Sequence, residues 1–457
     1  MEVIITSREH IKPSSPTPPH LRTYKLCLLD QLIPSPYGPV ILFFSPDARL
    51  GRSDVPAKLE LLKRSLSTTL ARFYPLAGNL KDELTIDCDD EGAYYAEARV
   101  DCSLSEFLAH PDLLLLCKFL PIDLVQKETY SGTRAANIQV NIFECGGIAI
   151  GICITHKILD GAAFGTFLKG WSAAARGDKA VIPDFSAASL FPTEDLWLRD
   201  TSAVAWGSSL KKGKPITRRF LFDASAIATL KAKAKGSDSK CPTSVESVSA
   251  FIWQRCMAAA TERRNGIQRP SILTNLVNLR KRIEPPLSDC SLGNILWISS
   301  AKSASNMDRS LRALVNEVKR SISRIDSHFV EQLRGANRSS RIMESLKEMS
   351  SAGATEDGAD HLGISSWCKL GFNEVDFGWG KPVWVSSYGV SGPVFVNLMI
   401  LADTREGDGI EAWVTLDEAE MAVLEGDGEL RTLASMDPSP LTLANGYVSK
   451  APRYPRL

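Results

Sequence analysis

The spacing of apolar residues in the first part of the chain predicts alternating strands and helices. Short apolar runs at 40–44 and 148–155 are bounded by turn-forming or polar residues, which is typical of buried strands, and 136–144 is predicted as a further strand. Between 55 and 73, leucines and a phenylalanine recur every three or four residues, the spacing of one buried helix face. Strands are also predicted within 84–99, where Asp and Gly interrupt a loose alternation. Together these elements indicate layers of strands and helices.

The same alternation returns in the second half of the chain. A strand followed by a helix is predicted over 219–234, and a capped helix is predicted to begin after Thr243, because Thr243 and Glu246 have the spacing of a capping box. The other predicted elements are a strand at 271–279, a helix at 307–327, a partly looped polar segment at 335–360, and a strand running into a helix over 410–426. The pattern favours the α/β class with mixed β-sheets flanked by helices.

A long segment without a clear hydrophobic period separates the two halves. Residues 181–218 are interrupted by prolines and are interpreted as a crossover loop between an N-terminal domain, 1–180, and a C-terminal domain, 219–457. A surface excursion within a single domain is the alternative. Part of the segment 365–400, which alternates aromatic and polar residues with glycines, is a candidate for packing on the N-terminal domain.

The charge balance narrows the classes of partner. Basic and acidic residues cancel, 53 against 53, so the basic footprint of a nucleic-acid binder is missing. The same balance argues against a polybasic membrane surface. The sequence has no apolar run of about 18 residues, the length that a membrane-spanning helix needs, and its start lacks the apolar core of a secretory signal. We therefore expect neither nucleic acid nor a membrane as partner.

The cysteines indicate a reducing compartment. All ten are scattered, and none forms a CxxC pair or lies near a histidine at metal-ligand spacing. Several stand inside apolar runs, as Cys153 does, which is typical of core thiols in a cytoplasmic protein. We therefore predict a cytoplasmic protein without a metal site. The C-terminal Pro455-Arg456-Leu457 weakly matches a peroxisomal signal and leaves that location as an alternative.

One short stretch carries the strongest candidate chemistry. His156 directly follows the apolar run 148–155, and Asp160 and Gly161 come shortly after it. An imidazole titrates near working pH, so a histidine at a strand end is a candidate general base, with a satisfied structural histidine as the alternative. The stretch does not match the HExxH metal motif, and the chain has no GxSxG nucleophile elbow. What remains is a base that deprotonates a bound hydroxyl or amine for attack on an activated acyl donor.

A second motif makes the first more specific. Residues 376–380 are Asp-Phe-Gly-Trp-Gly, about 220 positions after His156. This pair of motifs resembles the BAHD family of plant acyl-CoA-dependent acyltransferases. The resemblance covers essentially the whole chain through the blocks YKLCLLDQLIP, YPLAGNL, THKILDG, NLVNLRKRI, SLGN and SSWCKLGFNEVDFGWGKP. The first and last blocks are most similar to the branch that contains vinorine synthase and related alkaloid or alcohol acetyltransferases.

The resemblance implies a fold and a reaction. The fold would consist of two chloramphenicol-acetyltransferase-like domains joined by a long crossover loop, with an active-site channel between them. His156 would lie in this channel and act as general base for a hydroxyl of an alkaloid or alcohol. The hydroxyl would attack the thioester of an acyl-CoA, which we expect to be acetyl-CoA, and no covalent acyl-enzyme would form. A hydroxycinnamoyl- or malonyl-CoA-dependent O- or N-acyltransferase, and a non-catalytic binding or regulatory protein of the same fold, remain as alternatives.

The resemblance also implies supporting roles near the base. Asp160 would brace the turn after His156 by pairing with Arg280, rather than act as a catalytic partner. Many family members have Tyr-Phe-Gly-Asn-Cys where residues 291–295 are Ser-Leu-Gly-Asn-Ile. Because the Gly-Asn core is retained, we expect Asn294 to stand in the same local turn.

The DFGWG motif has an expected structural role as well. By resemblance it would shape the CoA side of the channel, with Asp376 paired to a basic group for which Arg282 is the candidate. Gly378 and Gly380 would permit the turn of the backbone. Trp379 would pack beside the channel, with simple core packing as the alternative.

The resemblance also predicts the ligand and the oligomeric state. An acyl-CoA would be a co-substrate rather than a permanently bound cofactor, and its phosphates would need hydrogen-bond donors. The capped helix start at Thr243 and Ser244 is a candidate for that contact, since helix N-termini attract anions. Monomeric behaviour is expected from the resemblance.

Overall fold

The computed structural model describes residues 1–33, 37–46, 53–121, 132–193, 210–236, 241–352 and 358–441. In this part of the chain strands and helices alternate, as the apolar spacing predicts. The strands are β1 (Val3–Ile11), β2 (Thr23–Lys25), β3 (Tyr37–Phe44), β4 (Asn79–Leu80), β5 (Thr85–Asp87), β6 (Ala93–Val100), β7 (Ala136–Phe143), β8 (Ile148–Thr155), β9 (Leu210–Lys212), β10 (Pro215–Phe222), β11 (Ser271–Asn278), β12 (Leu296–Ser303), β13 (Asp360–Ser366), β14 (Trp384–Ser386), β15 (Val394–Val396), β16 (Leu398–Asp403), β17 (Ile410–Asp417) and β18 (Ser435–Met436).

Helices cover the sheets and connect their strands. The α-helices are α1 (Leu28–Gln31), α2 (Val55–Leu70), α3 (Leu104–Ala109), α4 (Gly161–Arg176), α5 (Ala187–Leu190), α6 (Ala224–Ala234), α7 (Ser244–Arg263), α8 (Leu311–Ser323), α9 (Ser327–Arg334), α10 (Arg338–Ala352), α11 (Glu418–Gly426) and α12 (Gly428–Leu433). Short 3-10 helices lie at Pro19–Leu21, Tyr74–Ala77, Leu115–Phe119, Arg280–Arg282 and Phe372–Glu374. No helix in the described ranges is long and apolar enough to cross a membrane.

The first large sheet has the strand order β1-β6-β7-β8-β3-β14. Helices α2 and α4 cover one face, where Leu66 and Trp171 are fully buried. The other face is covered by an aromatic cluster that includes Phe43 and Phe119. Every residue of β8 is buried as a result. A strand that is buried on both faces needs no polar alternation, which explains the continuous apolar run at 148–155.

The second large sheet has the strand order β12-β11-β13-β16-β17-β10-β18. It is mixed, because β13 runs parallel to β11 and β16 while the other pairs are antiparallel. Helices α6, α7, α8 and α11 cover one face and enclose a core around Phe251 and Trp253. Side chains alternate between faces along a strand, so in β10 Phe220 enters this core while Thr217 faces the N-terminal half.

A short strand from the C-terminal half joins the N-terminal sheet. Strand β14 pairs antiparallel with β3, and Trp384 stacks on Phe43 with ring centroids 5.2 Å apart. The same indole stacks on Trp413 of the second sheet at 5.8 Å and lies 5.0 Å from the guanidinium carbon of Arg219. The two large sheets are therefore connected through one aromatic side chain.

Several predicted elements differ from the structure. The segment 335–360 was expected to be partly loop, but most of it is α10, where Ile342 is buried and polar neighbours lie toward solvent. The helix predicted at 307–327 begins at Leu311, because the hydroxyl of Ser310 caps it by accepting from the N–H of Ala313. A lone N-cap serine does not change the apolar spacing, so the spacing alone places the helix start too early.

The predicted crossover segment contains regular structure at both ends. Helix α5 and strand β9 lie within 181–218, and β10 begins at Pro215, four residues before the strand expected from Arg219. Residues 194–209 fall outside the described residues, as does the C-terminal Pro455-Arg456-Leu457.

Candidate active site

His156 stands where the chain leaves the buried interior of the first sheet. Strand β8 ends at Thr155, a short turn follows, and α4 begins at Gly161. Asp160 caps this helix by accepting a 2.8 Å hydrogen bond from the N–H of Ala163, a position where aspartate is strongly favoured. The imidazole is therefore carried by a turn that is fixed on one side by a buried strand and on the other by a capped helix.

A hydrogen bond to Asn294 orients the imidazole. Nδ1 of His156 lies 3.0 Å from Oδ1 of Asn294. The amide nitrogen of Asn294 donates to the carbonyl oxygen of His156 at 2.7 Å and to Oδ1 of Asp30 at 2.8 Å. Since both amide hydrogens are used there, the amide oxygen accepts from the ring, and Nδ1 carries the proton. Nε2 is then the ring nitrogen with a free lone pair.

A buried carboxylate lies behind Asn294. Asp30 is fully buried in α1, and its Oδ1 accepts from both the backbone N–H (2.7 Å) and the side-chain amide (2.8 Å) of Asn294. Its Oδ2 accepts from the N–H of Cys27 at 2.7 Å. Burial raises the pKa of Asp30, and the hydrogen bonds from Asn294 and Cys27 act in the opposite direction.

The sequence contains an indication that Asp30 is important, although hydrophobic spacing does not reveal it. The residue stands inside the apolar stretch LLDQLI, and carboxylates are seldom fully buried unless they are paired or hydrogen-bonded. An acid in such a stretch therefore indicates a specific buried partner. The partner itself is 264 positions away, and no local pattern identifies it.

Asp160 is directed at Arg280 and forms a buried ion pair with it. Nη1 of Arg280 lies 2.7 Å from Oδ2 of Asp160, and Nη2 lies 3.0 Å from Oδ1. The two side chains are only 1% and 5% exposed. Such a two-bond pairing fixes both position and orientation. The partner that the resemblance implies for Asp160 is thus the one found here.

The same ion pair shapes the loop that carries Asn294. Arg280 donates to the carbonyl oxygen of Gly293 at 3.2 Å, and Oδ2 of Asp160 accepts from the N–H of the residue after Asn294 at 3.1 Å. Gly293 has a φ of +120°, a conformation that residues with a Cβ rarely adopt. The Gly-Asn turn therefore presents Asn294 to His156.

A cavity of about 360 Å³ opens at His156 between the two large sheets. The N-terminal half supplies mostly apolar wall residues, including Ile33, Tyr37, Val40, Ile154, Leu159 and Phe164. The C-terminal sheet adds hydroxyl groups from Thr217, Thr274, Ser365 and Thr415. Among the described wall residues no Lys or Arg occurs, and Asp160 supplies the carboxylate, which is neutralised by Arg280. The cavity thus suits a neutral, largely apolar molecule.

Comparison with known proteins fixes the family. A family model described as the Transferase family matches residues 1–431. The chain belongs to the BAHD family of acyl-CoA-dependent acyltransferases. The crystal structure of vinorine synthase, a BAHD fold neighbour, matches with a TM-score of 0.79 and 32% identity, covering 95% of this chain and 99% of that chain. The resemblance found in the sequence and the predicted mixed α/β fold are both confirmed.

Curated relatives of this BAHD chain span its length. It is 42% identical over 461 residues to limonoid 7-O-acetyltransferase of Citrus sinensis, and 41% identical over 458 residues to epi-neemfruitin B 7-O-acetyltransferase of Melia azedarach. Each alignment covers 96% of this chain and 100% of the relative. The chain is therefore an acyl-CoA-dependent O-acyltransferase, whose substrates are an acyl-CoA and a hydroxylated acceptor.

The DFGWG segment of this BAHD chain forms a turn around Asp376, whose main-chain carbonyl also accepts a hydrogen bond from Arg176. Oδ1 of Asp376 accepts from the N–H groups of Gly378 (2.8 Å) and Gly380 (2.9 Å), and both glycines have positive φ, +107° and +103°. The expected pair between Asp376 and Arg282 is not formed. Arg282 is instead directed at the C-terminal end of α8, where it donates to the main-chain carbonyls of Ile322, at 3.3 Å, and Ile325.

Trp379 packs on the N-terminal core rather than on the cavity wall. Its indole stacks on Phe377 with centroids 5.5 Å apart and meets Phe44 edge-on at 6.3 Å. The ammonium of Lys58 lies 5.5 Å from the ring centroid, within the range of a cation–π contact. Residues 376–380 are not among the described residues that line the cavity. The motif thus packs on the N-terminal core and does not form part of the described cavity wall.

Thr243 and Ser244 lie at the start of α7, apart from the described cavity wall. Thr243 accepts from the N–H of Glu246 at 3.1 Å, and the carboxylate of Glu246 accepts from the N–H of Thr243 at 2.7 Å. The capping box predicted from the sequence is therefore present. Contact of this helix start with CoA remains a prediction.

Proposed function

We propose that this enzyme transfers an acetyl group from acetyl-CoA to a hydroxyl of a neutral polycyclic plant metabolite, of the limonoid type. The observation that carries the proposal is the imidazole of His156, with Nδ1 bound to Asn294, in a cavity without a free charge on its described wall. The names of the limonoid 7-O-acetyltransferases, at 41% and 42% identity, support the acetyl group and the acceptor class.

The proposed mechanism is direct transfer with His156 as the general base. Nε2 removes the proton of the acceptor hydroxyl while its oxygen attacks the thioester carbonyl carbon. The resulting tetrahedral intermediate collapses by breaking the carbon–sulfur bond, and the protonated His156 returns the proton to the leaving thiolate. The products are the acetate ester and free CoA, and the protein forms no covalent intermediate.

We assign Asp160 a bracing role in this scheme. Its two oxygens accept hydrogen bonds from Arg280, from the N–H of Ala163 and from the N–H of Ile295. A carboxylate committed in this way stabilises the turn that holds the imidazole. The same argument makes Arg280 and Asn294 positioning residues for His156.

The charge of the cavity favours an acetyl donor over a malonyl donor. The free carboxylate of a malonyl group would lose its hydration without meeting a cation, since no Lys or Arg lines the cavity among the described residues. Burying an unpaired charge costs several kcal/mol or more. A hydroxycinnamoyl group carries no such charge, so the charge of the cavity does not discriminate against it. Acetyl-CoA and a hydroxycinnamoyl-CoA must therefore be compared directly as donors.

The same reasoning favours a neutral acceptor over a cationic alkaloid. The carboxylate of Asp160 in the wall is already paired with Arg280 and has no charge left to neutralise an ammonium group. The wall hydroxyls of Thr217, Thr274 and Ser365 instead suit the ether, ester and hydroxyl oxygens of a neutral polycycle.

The test is a matrix of donors and acceptors with the purified protein. Acetyl-, malonyl- and coumaroyl-CoA are each incubated with limonoid alcohols and with hydroxylated alkaloids, and acylated products are detected by mass spectrometry. We expect acetylation of limonoid alcohols. Malonylation, or acylation confined to alkaloids, would contradict the proposal.

We further propose that the enzyme is a cytoplasmic monomer. Both walls of the cavity and all residues around His156 come from one chain, so no second copy is needed to complete the site. No disulfide joins any of the ten cysteines, all of which lie in the described ranges, as is usual in proteins kept in a reducing compartment. Light scattering and localisation of a fluorescent fusion test the two statements.

A further inference from the structure

We propose that Asp30 is a positioning residue that fixes the tautomer of His156 through the side-chain amide of Asn294. This inference rests on the proposed role of His156 as general base. Asp30 lies outside the stretch His156–Asp160 and outside the DFGWG motif, and it is not among the described residues that line the cavity. Its effect on the reaction is transmitted entirely by Asn294, which touches both side chains.

The first step of the argument is the orientation of the amide. With its nitrogen toward Asp30, Asn294 makes three good contacts, to Oδ1 of Asp30, to the carbonyl oxygen of His156 and to Nδ1 of the ring. Rotating the amide by 180° would place its oxygen 2.8 Å and 2.7 Å from the first two acceptors. Two acceptors at that distance repel each other, so the carboxylate and the carbonyl together exclude the rotated form.

The second step is the position of the proton on the ring. In the observed orientation Asn294 offers an oxygen to Nδ1 of His156, which therefore holds the proton. In the rotated orientation the amide would donate to Nδ1, and the proton would move to Nε2. An Nε2 that already carries a proton cannot accept one from the acceptor hydroxyl. The amide orientation therefore decides whether His156 starts the reaction as a base.

The third step is the contribution of Asp30 to the loop itself. Besides the side-chain contact, Oδ1 of Asp30 accepts from the backbone N–H of Asn294 at 2.7 Å. Both Asp30 and Asn294 are fully buried, so water does not replace a lost partner. A single carboxylate oxygen thus holds both the backbone and the amide of Asn294.

The geometry also joins the two halves of the chain at the base. His156 and Asp30 belong to the N-terminal half, whereas Asn294 stands just before β12 of the second sheet. The active tautomer of His156 is therefore favoured only when the loop around Asn294 is docked against α1. This makes assembly of the two halves a condition for general-base activity.

Two substitutions separate the tautomer effect from a loss of shape. Asp30→Leu removes the acceptor while keeping a side chain that branches at Cγ, whereas Asp30→Asn has nearly the same volume as aspartate and retains an oxygen that can face Asn294. We expect Asp30→Leu to lower kcat on the order of 100-fold with little change in KM for acetyl-CoA. We expect Asp30→Asn to stay within about tenfold of the wild-type kcat. Asp223→Ala, which removes the cap of α6 far from this network, controls for general destabilisation.

The decisive measurement is the tautomer of the His156 ring. Substitution of Asp30 would leave this tautomer unchanged if Asp30 only stabilised the fold. In two-bond ¹⁵N–¹H correlation spectra of histidine-labelled protein, the His156 ring is identified by the signals lost in His156→Ala. We expect the wild type and Asp30→Asn to carry the proton on Nδ1, and Asp30→Leu to shift it toward Nε2. An Asp30→Leu protein that keeps the proton on Nδ1 and wild-type kcat would overturn the proposal.

The outcomes also distinguish this inference from the proposed function. Appreciable transfer by His156→Ala would remove His156 as the base, yet the tautomer of Asp30→Leu would still test the link from Asp30 to the ring. If Asp30→Leu does not fold, the wild-type spectrum decides, because a neutral His156 ring with its proton on Nε2 overturns the proposal by itself.

Discussion

The proposed base is oriented by an amide that the other half of the chain supplies. The imidazole of His156 and the amide of Asn294 meet at 3.0 Å across 138 positions of sequence. The amide has no charge, so its effect on the ring is one of geometry and proton placement rather than of charge stabilisation. At the residue scale, the proposed reaction therefore depends on a contact that lies outside the stretch His156–Asp160.

We expect Asn294→Ala to lower kcat on the order of 100-fold, because the ring loses the acceptor that holds its Nδ1 proton. KM for acetyl-CoA should change little, since Asn294 does not line the described cavity wall. Steady-state kinetics with a limonoid alcohol measure both values.

Asn141→Ala is the matched control for this variant. It also removes a buried amide, one that donates to the carbonyls of Phe119 and Ala149 on the far side of the sheet. It should cost stability but leave kcat near the wild-type value at a temperature where the protein is folded. Equal loss of kcat in the two variants would mean that Asn294 acts only through stability.

At the scale of elements, the turn between β8 and α4 is held by a buried ion pair. Asp160 caps α4, binds Arg280 and accepts from the backbone beside Asn294. Removing one partner of a buried pair leaves the other charge unpaired, which costs about 3–5 kcal/mol. The same loss would release the loop that presents Asn294 to the ring.

We therefore expect Asp160→Ala to lower the free energy of unfolding by about 3–5 kcal/mol and to abolish most of the activity. Arg280→Lys should give a milder loss of both, because lysine cannot form the two parallel hydrogen bonds. Urea unfolding and acetyl-transfer kinetics on the same samples test this. An Asp160→Ala protein with wild-type stability and no activity would instead indicate a chemical role for Asp160.

The sequence predicted this element in part, and the limit has a physical cause. The strand at 148–155 follows from a local pattern, since a strand that is buried on both faces leaves a continuous apolar run. The contacts of Asp30 and Arg282 are long-range, and residue type alone does not identify their partners. The resemblance supplied the correct partner for Asp160. The expected pairing of Asp376 with Arg282 was wrong, because Arg282 binds main-chain carbonyls at the end of α8.

At the scale of the whole molecule, an aromatic contact connects the two large sheets near the cavity. Trp384 is contributed by the C-terminal half, pairs through β14 with β3, and lies between Phe43 and Trp413. Its Nε1 donates to Glu411 at 3.3 Å. The side chain thus stabilises the arrangement that forms the two walls of the cavity.

We expect Trp384→Ala to lower the free energy of unfolding by about 3–5 kcal/mol, as large-to-small changes of a buried aromatic do. Trp384→Phe should lose less, because it retains a ring between the two neighbours. Urea unfolding monitored by circular dichroism gives both values. Unfolding of Trp384→Ala at the wild-type urea concentration would show that this contact does not hold the sheets together.

The order of the sheets and the shape of the cavity were beyond prediction from periodicity. Apolar spacing shows which residues of a strand are buried, but not which strand lies next to it. Part of 365–400 was a candidate for packing on the N-terminal domain, but the pairing of β14 with β3 required the structure. The uncharged wall likewise arises from residues far apart in sequence, such as Val40, Phe164 and Thr415. The preferences for an acyl donor and an acceptor depend on this cavity and therefore on the fold of the whole molecule.

The most direct test of the account is acetyl transfer by His156→Ala. The substitution removes the proposed base, and a general base typically raises the reaction rate by about 10²–10⁴-fold. The buried strand β8 and the Asp160–Arg280 pair are unchanged and still stabilise the fold. We predict a protein with near wild-type thermal unfolding and a transfer rate lowered by at least about 100-fold. A folded His156→Ala enzyme with a rate within about tenfold of wild type would contradict the account.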